Sequence, residues 1–432
     1  MKFRVQYPQL MPLWLAVYVD ILGFSILIPF LPFFAAEYGV SPLVVGLLLS
    51  TNALFGFFFG PILGWLSDKH GRKPFLLLSM AGTMSGFLVL AFSTSLEMLF
   101  VSRIIDGIFG GVFPITKAVI GDIVPPKDRS QQMSNVGVMH ILASLIGPGI
   151  GGALSRWGIF APGLLAAALT AISFTLTILF VKESAPAKVK RENPIIGALQ
   201  EQAREPSTNK GGNEKPLSHP TQPSLPRKSS WHNKTVIFLL VQWGFHTFTF
   251  STYVSGVSIF GGTILSLTAE ELGYLLMAAG IIRVFVRFVI FVPLLNKIGE
   301  KKTAILGLAT FTGIFVVLIF VLEPVLFSVV LIGTSFAASC TRGPLSGFLS
   351  RAVGKQDQGK IMGYSTSVEN VSNIFGPIFG GFILESFASG WYGAALAMVA
   401  AVPFAMGFFK LTLIQDQDQE HPTKKLSEAE IG

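Results

Sequence analysis

Several ionisable side chains fall inside long apolar stretches of the sequence, away from bulk water. A carboxylate held there can load and release a proton, and an arginine there must meet a carboxylate, a carbonyl or a bound anion. Because such a charge costs at least about 2.5 kcal/mol, we expect each to pair within the protein or to line a polar cavity. The candidates for substrate binding or proton coupling are Asp20, Arg103, Asp106, His140, Arg283, Arg287, Arg342 and Glu369.

The stretches that carry these residues are long enough to cross a lipid bilayer. Hydrophobic residues are 51% of the 432, charged residues only 13%, and the mean hydropathy is +0.62, whereas about a quarter of a soluble domain is charged. The sequence therefore predicts an all-α, polytopic membrane protein with about twelve transmembrane helices. The predicted spans are 11–36, 42–66, 74–93, 98–121, 132–154, 161–181, 235–260, 271–295, 303–322, 325–348, 361–386 and 392–413.

Positive charge is distributed very unequally between the two sides of these spans. Of 32 Lys and Arg residues, 25 lie in alternate connections and tails, and only Arg156 lies in the opposite connections. This positive-inside bias predicts a plasma membrane protein with both termini in the cytoplasm and an uncleaved first span. The net charge of +8 is thereby explained by topology, so we expect no nucleic-acid partner.

The two halves of the sequence repeat each other at an offset of 229 residues. A Gly-Pro-x-x-Gly-Gly motif occurs once in each half, and His140 and Glu369 each lie seven residues before it. We expect these motifs to bend helices and let them pack closely; they comprise Gly147, Pro148, Gly151, Gly152, Gly376, Pro377, Gly380 and Gly381. The predicted organisation is a six-helix half (1–181), a flexible cytoplasmic linker (182–234), a second six-helix half (235–413) and a cytoplasmic tail (414–432).

A short charged segment from Gly64 to Leu76 reads GWLSDKHGRKPFL. It resembles the signature loop of the major facilitator superfamily, G-x-L-A-D-R-x-G-R-K-x-x-L, with departures only at Ser67 and Lys69. The resemblance implies two six-helix bundles that work as a monomer. It also implies a secondary transporter that exposes its substrate site alternately to the two sides of the membrane.

By the same resemblance, the charges of this loop act as a gate. They are expected to form a cytoplasmic cluster that holds the outward-open state and breaks on inward opening, with Gly64 and Gly71 allowing close approach and a tight turn. A solvated loop that only sets topology is the alternative. The residues implied are Gly64, Asp68, Gly71, Arg72, Lys73, Asp122 and Arg129.

Two further patterns resemble proton antiporters of this superfamily. The run Arg103-x3-Gly107-x2-Gly110-Gly111 resembles a helix whose arginine faces the cavity, and the surroundings of Asp20 resemble the first helix of tetracycline-efflux proteins. Asp20 is the expected partner of Arg103, and Asp106 could pair with it locally. Structural ion pairing is the alternative for these charges, and helix packing is the alternative for His140.

The leading hypothesis is a proton-coupled exporter of a small organic or drug-like compound. An importer of an organic anion, sugar or other metabolite on the same fold is the second hypothesis. A membrane-embedded hydrolase with Ser346 as nucleophile is the third, but the expected protein is not an enzyme. With a single cysteine, Cys340, and no phosphate-binding Gly-rich loop, we expect no metal site, no cofactor and a proton gradient as the energy source.

Overall fold

The computed structural model describes Tyr7 and residues 10–27, 29–184, 234–353 and 357–427. Most of the predicted linker, residues 185–233, lies outside the described residues. The helices of the first half are α1 (Met11–Leu27), α2 (Leu31–Ala36), α3 (Pro42–His70), α4 (Arg72–Ala91), α5 (Leu96–Phe109), α6 (Val112–Ile123), α7 (Pro126–Ser155) and α8 (Phe160–Phe180).

The second half has the same architecture. Its elements are α9 (Lys234–Thr263), α10 (Ala269–Phe285), a π-helical segment (Val286–Phe291), α11 (Val292–Leu318), α12 (Pro324–Arg351), α13 (Gln358–Ser386) and α14 (Ser389–Ser427). The described part of the chain contains no β-strand. The predicted fold class is confirmed.

Twelve helical passages can be counted among the described residues. Nine stretches are long and apolar enough to span a membrane, and one of them, Ala269–Leu318, is 50 residues long. Gly299, at φ 80°, turns the chain inside that stretch and divides it into two passages. The helices α9 and α13 supply the remaining two, although they contain more polar residues.

Three predicted spans are not single α-helices. The first is interrupted around Pro29, where α1 gives way to α2, because proline lacks the N–H group that a continuing helix needs. The fourth breaks at Gly110-Gly111, two successive residues with a low helix preference. The eighth changes to a π-helix at Val286, and such segments are often found at functional sites.

The two halves contact each other through matching helix pairs, α7 with α10 and α3 with α13. The closest approaches lie at the ends opposite the signature loop. A Cβ added to Gly46 would come within 2.3 Å of the Pro377 carbonyl oxygen, and one added to Gly152 would come within 2.9 Å of the Gly273 Cα. At the loop-side ends of α3 and α13, a Cβ on Gly64 or Gly363 would meet nothing within 4 Å. The space between the halves therefore opens toward the signature loop.

Candidate functional site

A polar cavity of about 180 Å³ lies inside the first half. Asp20 from α1, Asn52 from α3, Thr83 from α4, Asp106 from α5 and His140 from α7 contribute to its wall. Five helices therefore meet at one place that holds two carboxylates and an imidazole. Apolar side chains line most of the remainder of the cavity.

Arg103 is fully buried beside this cavity, and its partner is Asp106. The Arg103 Nη1 lies 3.3 Å from the Asp106 Oδ2, which also accepts a 2.8 Å hydrogen bond from the Asn52 side-chain amide. The expected direct pair between Asp20 and Arg103 is therefore wrong for this structure. The two residues of the observed pair are three apart on one helix, a spacing that brings them together without any adjustment between helices.

Asp20 has no salt bridge within the described part of the chain. It lines the same cavity as Asp106 and is partly exposed. The structure thus brings Asp20, Asp106 and His140 to one cavity, where Asp20 is the carboxylate without a salt bridge among the described residues.

A second group of charges faces the space between the halves. Arg342 on α12 forms an ion pair with Glu369 on α13, and its guanidinium lies 5.4 Å from the Phe250 ring centroid. Lys117, Arg283, Arg342 and Glu369 all act electrostatically on His140. We call these five residues the central cluster: Lys117, His140, Arg283, Arg342 and Glu369.

Arg287 lies apart from the central cluster. It belongs to the π-helical segment, and its guanidinium is 5.8 Å from the Phe291 ring centroid. Its side chain is exposed. The structure therefore separates Arg283 and Arg287, which are four residues apart in the sequence, because the π-helical segment changes the residue repeat just after α10.

The signature loop is a one-residue connection. α3 ends at His70 and α4 begins at Arg72, so Gly71, at φ 110°, is the whole turn. A side chain at this positive φ would be strained, and its Cβ would also lie 2.9 Å from the Glu183 carboxylate. That carboxylate accepts hydrogen bonds from the backbone N–H groups of Arg72 (2.7 Å) and Lys73 (3.1 Å) and thereby caps α4.

Arg72 is the buried centre of the loop cluster. It forms ion pairs with Asp68 and, at 2.9 Å, with Asp122, and it donates to the Ser67 hydroxyl at 2.9 Å. All of these partners belong to the first half. The cluster is therefore intact while the halves are apart on the loop side, which corrects the expectation that it breaks on such opening.

Two other expectations about the cluster are not met. Arg129 donates to the backbone carbonyls of Gly121 (2.7 Å) and Val124 (3.3 Å), so it closes the end of α6 rather than joining the carboxylates. Gly64 makes no close helix contact, because the loop-side end of α3 does not touch the other half.

The two Gly-Pro-x-x-Gly-Gly motifs occupy equivalent positions in the halves. Each proline lies inside a long helix, Pro148 in α7 and Pro377 in α13. In each motif the first two glycines face the first long helix of the same half, α1 or α9, and the last glycine faces the other half. The last glycines, Gly152 and Gly381, thus permit the close contact between halves. The motif glycines are Gly147, Gly151, Gly152, Gly376, Gly380 and Gly381.

Polar contacts seal the halves at the end opposite the loop. The Arg156 Nη2 donates to the Glu270 Oε1 at 2.6 Å, and the Tyr274 hydroxyl donates to the same oxygen at 3.0 Å. On the other side of the molecule, Glu385 accepts a 3.0 Å hydrogen bond from the backbone N–H of Leu43. We call the Arg156–Glu270 and Glu385–Leu43 contacts the far-side seal. Each joins one half to the other.

Weakening the far-side seal is expected to open the protein on that side. The double variant Arg156→Gln, Glu385→Ala removes two partly exposed contacts, each worth roughly 0.2–1 kcal/mol. With spin labels on cysteines at positions Ser41 and Ser386 in a Cys340→Ser background, the distance distribution should gain a longer component. Arg156→Lys is the charge-conserving control, and an unchanged distribution in the double variant would show that apolar packing alone holds this end closed.

Breaking the loop cluster is expected to stop transport without preventing membrane insertion. Arg72→Ala leaves Asp122 and Ser67 without their buried partner and frees α3 from α4 and α6. Asp68→Asn should have a similar but smaller effect, since Asp68 is the more exposed carboxylate. The effect of each variant is measured as the transport activity of the purified protein in proteoliposomes. The matched control is Lys69→Ala, a nearby exposed cation, and normal transport by Arg72→Ala would show that transport does not depend on the loop cluster.

Sequence reasoning missed two residues of these sites. Asn52 carries no charge, so its position in an apolar span gave no signal. Glu183 was assigned to the linker, yet it caps α4 from 111 residues away, a relation that no local pattern contains. Ser346, the hydrolase candidate, donates to the Gly343 carbonyl at 2.9 Å, an ordinary contact within a helix.

The sequence profile of the Major Facilitator Superfamily matches residues 13–290 and 262–430, which together cover nearly the whole chain. The chain belongs to this superfamily. It is therefore a multi-pass membrane protein and a secondary active transporter, as predicted.

Named relatives from bacteria share this length and organisation. The class H tetracycline resistance protein of Pasteurella multocida is 28% identical over 396 residues, 90% of this chain and 92% of that protein. Multidrug resistance protein 2 of Bacillus subtilis (strain 168) is 26% identical over 373 residues, 85% of this chain and 87% of that protein.

Solved structures agree on the fold. A bacterial homologue of the human lysosomal transporter Spinster, in an inward-facing and occupied conformation, superposes with a TM-score of 0.71 at 13% identity over 92% of this chain and 95% of that chain. A human organic anion transporter superposes with a TM-score of 0.64 at 19% identity over 93% of this chain and 99% of that chain.

Proposed function

We propose that this protein exports a small organic, drug-like compound across the plasma membrane in exchange for protons. The observation that carries the proposal is Asp20, a carboxylate without a cationic partner in the described structure, facing a polar cavity beside the Arg103–Asp106 pair. The relatives of this protein are named for tetracycline and multidrug resistance, which supports export over import.

The geometry suggests how protons drive the cycle. Asp20 is the site at which a proton is held. Arg103 remains paired with Asp106, so the charge of the cavity changes by one unit when Asp20 binds a proton. A charged carboxylate attracts water and polar partners more strongly than a neutral carboxylic acid does. Protonation therefore changes which arrangement of helices is stable. The halves then rock between opening on the loop side and opening at the far-side seal.

Orientation and assembly complete the proposal. The excess of Lys and Arg on the loop side supports a cytoplasmic location for that side and for both termini. The structure then corresponds to the inward-open state, in which a cytoplasmic compound can enter the central space. Both halves belong to one chain, which supports function as a monomer, and no nucleic-acid partner is proposed.

Transport by inside-out membrane vesicles tests the proposal. Vesicles that contain the protein should accumulate members of a panel of labelled drug-like compounds when the interior is acidified, and a protonophore should abolish the accumulation. Vesicles with an Arg72→Ala protein are the matched control. Accumulation driven by a sodium gradient, or insensitive to protonophore, would contradict proton exchange. Uptake only in right-side-out vesicles would favour the importer hypothesis.

A further inference from the structure

The charges of the central cluster do not balance. Arg342 is neutralised by its ion pair with Glu369. Two more cations, Lys117 and Arg283, act on His140 from the same space, and neither has a salt bridge within the described residues. The cluster therefore carries two positive charges more than its own carboxylate neutralises.

Arg283 cannot satisfy its guanidinium with bulk water at a membrane surface. It lies in the fourth turn of α10, a helix whose first turn contains Glu270 of the far-side seal, so it is about 20 Å below that end at 1.5 Å per residue. Its side chain faces open space between the halves, and its charged or polar neighbours are Tyr253, His140 and Arg342. None of these is an anion.

Lys117 approaches the same space from the other half. It lies on α6 with its Nζ 4.0 Å from the Phe113 ring centroid. It also interacts electrostatically with Glu369 of α13 across the space between the halves. The Phe113 ring in turn contacts the His140 ring at 6.4 Å. Each half therefore presents an unneutralised cation, and an aromatic ring lies close by: Phe113 against Lys117 in the first half, and Phe250 against Arg342 in the second.

We propose that the transported compound carries an anionic group, with a carboxylate as its simplest form, which binds between Lys117 and Arg283. Arg283 offers the planar donor pair that matches a carboxylate, and Lys117 supplies a point charge from the opposite half. The ring of Phe113, against Lys117, and that of Phe250, against the neighbouring Arg342, suit an aromatic or otherwise flat organic body. The inference rests on the proposed function and adds the chemical class of its substrate.

The same arrangement explains how substrate would enable the loop side to close. Without an anion, closing would bring cations of both halves together in a site that excludes water, where like charges repel strongly. A bound anion cancels this repulsion and makes favourable contacts with both halves. Binding would therefore favour the closed arrangement by the difference in its affinity for the two states.

Binding of matched acid and amide pairs tests the site directly. The probes are benzoate with benzamide and salicylate with salicylamide, measured by isothermal titration on the full chain in detergent at pH 7. Each carboxylate should bind the wild type at least tenfold more tightly than its amide. Arg283→Gln and Lys117→Gln should each remove that preference, and Arg283→Lys should retain part of it. Arg287→Gln, a cation outside the central cluster, should bind as the wild type does.

The outcomes separate this inference from the proposed function. Loss of acid preference in Arg283→Gln, with a monodisperse gel-filtration peak, supports the anion site, and an Asp20→Asn protein should retain that preference. Equal affinity for acid and amide in the wild type, or unchanged preference in a folded Arg283→Gln, overturns the site. Proton-driven export of a neutral or cationic compound would in either case leave the exporter proposal standing.

Discussion

Asp20→Asn is expected to reduce proton-driven accumulation to the level of vesicles without the protein. The amide is close to the carboxylic acid in shape but cannot release a proton. The carrier would therefore lose the step in which Asp20 binds and releases a proton. Substrate binding should persist, because Arg103 remains paired with Asp106 and the central cluster is untouched. Accumulation against a proton gradient and equilibrium binding, measured on the same preparation, separate the two effects.

Glu37→Gln is the matched control for Asp20→Asn. Glu37 is an exposed carboxylate in the connection that follows α2. It belongs neither to the lining of the cavity around Asp20 nor to the central cluster. This variant should accumulate substrate as the wild type does. If gradient-driven accumulation survives in Asp20→Asn, proton coupling lies elsewhere, and Glu369 becomes the next carboxylate to replace.

Arg103→Met is expected to lower stability severely. Arg103 is the largest fully buried side chain, and removing it leaves Asp106 buried with only neutral partners. Breaking a buried ion pair from one side costs roughly 3–5 kcal/mol, enough to reduce the yield of folded protein and its thermal unfolding temperature strongly. Unfolding can be followed by the fluorescence of a thiol-reactive dye at Cys340, which is buried in the folded state.

The partner variant makes the origin of this loss testable. Arg103→Met combined with Asp106→Leu removes both charges and should recover much of the lost stability, because no buried charge is left unpaired. Arg156→Gln, which breaks an exposed arginine pair, should lose less than about 1 kcal/mol. Normal stability in Arg103→Met alone would mean that water reaches Asp106 and that this pair is not a structural element.

The helices, the two repeated halves and the signature loop could all be predicted from the sequence. Each depends on a property that is local along the chain. A bilayer selects apolar stretches of a given length, and a one-residue turn at positive φ selects Gly71. The repeat of the Gly-Pro motifs likewise predicted that Gly152 and Gly381 would allow close packing, since only small residues permit it.

Interruptions within the helices were not predicted. The break at Gly110-Gly111 and the π-helical segment at Val286 occur inside stretches whose hydropathy is continuous. Hydropathy records whether a segment prefers lipid, and it is insensitive to a change of helix type within that segment. The separation of Arg283 from Arg287 follows from the second of these interruptions.

The partners of the charged groups were decided only by the tertiary structure. From the sequence alone, Asp20 and Asp106 were both available to Arg103, and Glu183 had no visible relation to Arg72. The choice depends on how helices rotate and approach one another, which is set by packing over their whole length rather than by the residues that finally pair. The sequence determined which residues carry charge into the membrane; the packing of α1, α3, α5 and α7 determined that Arg103 joins Asp106 and that Asp20 lines the same cavity without a salt bridge among the described residues.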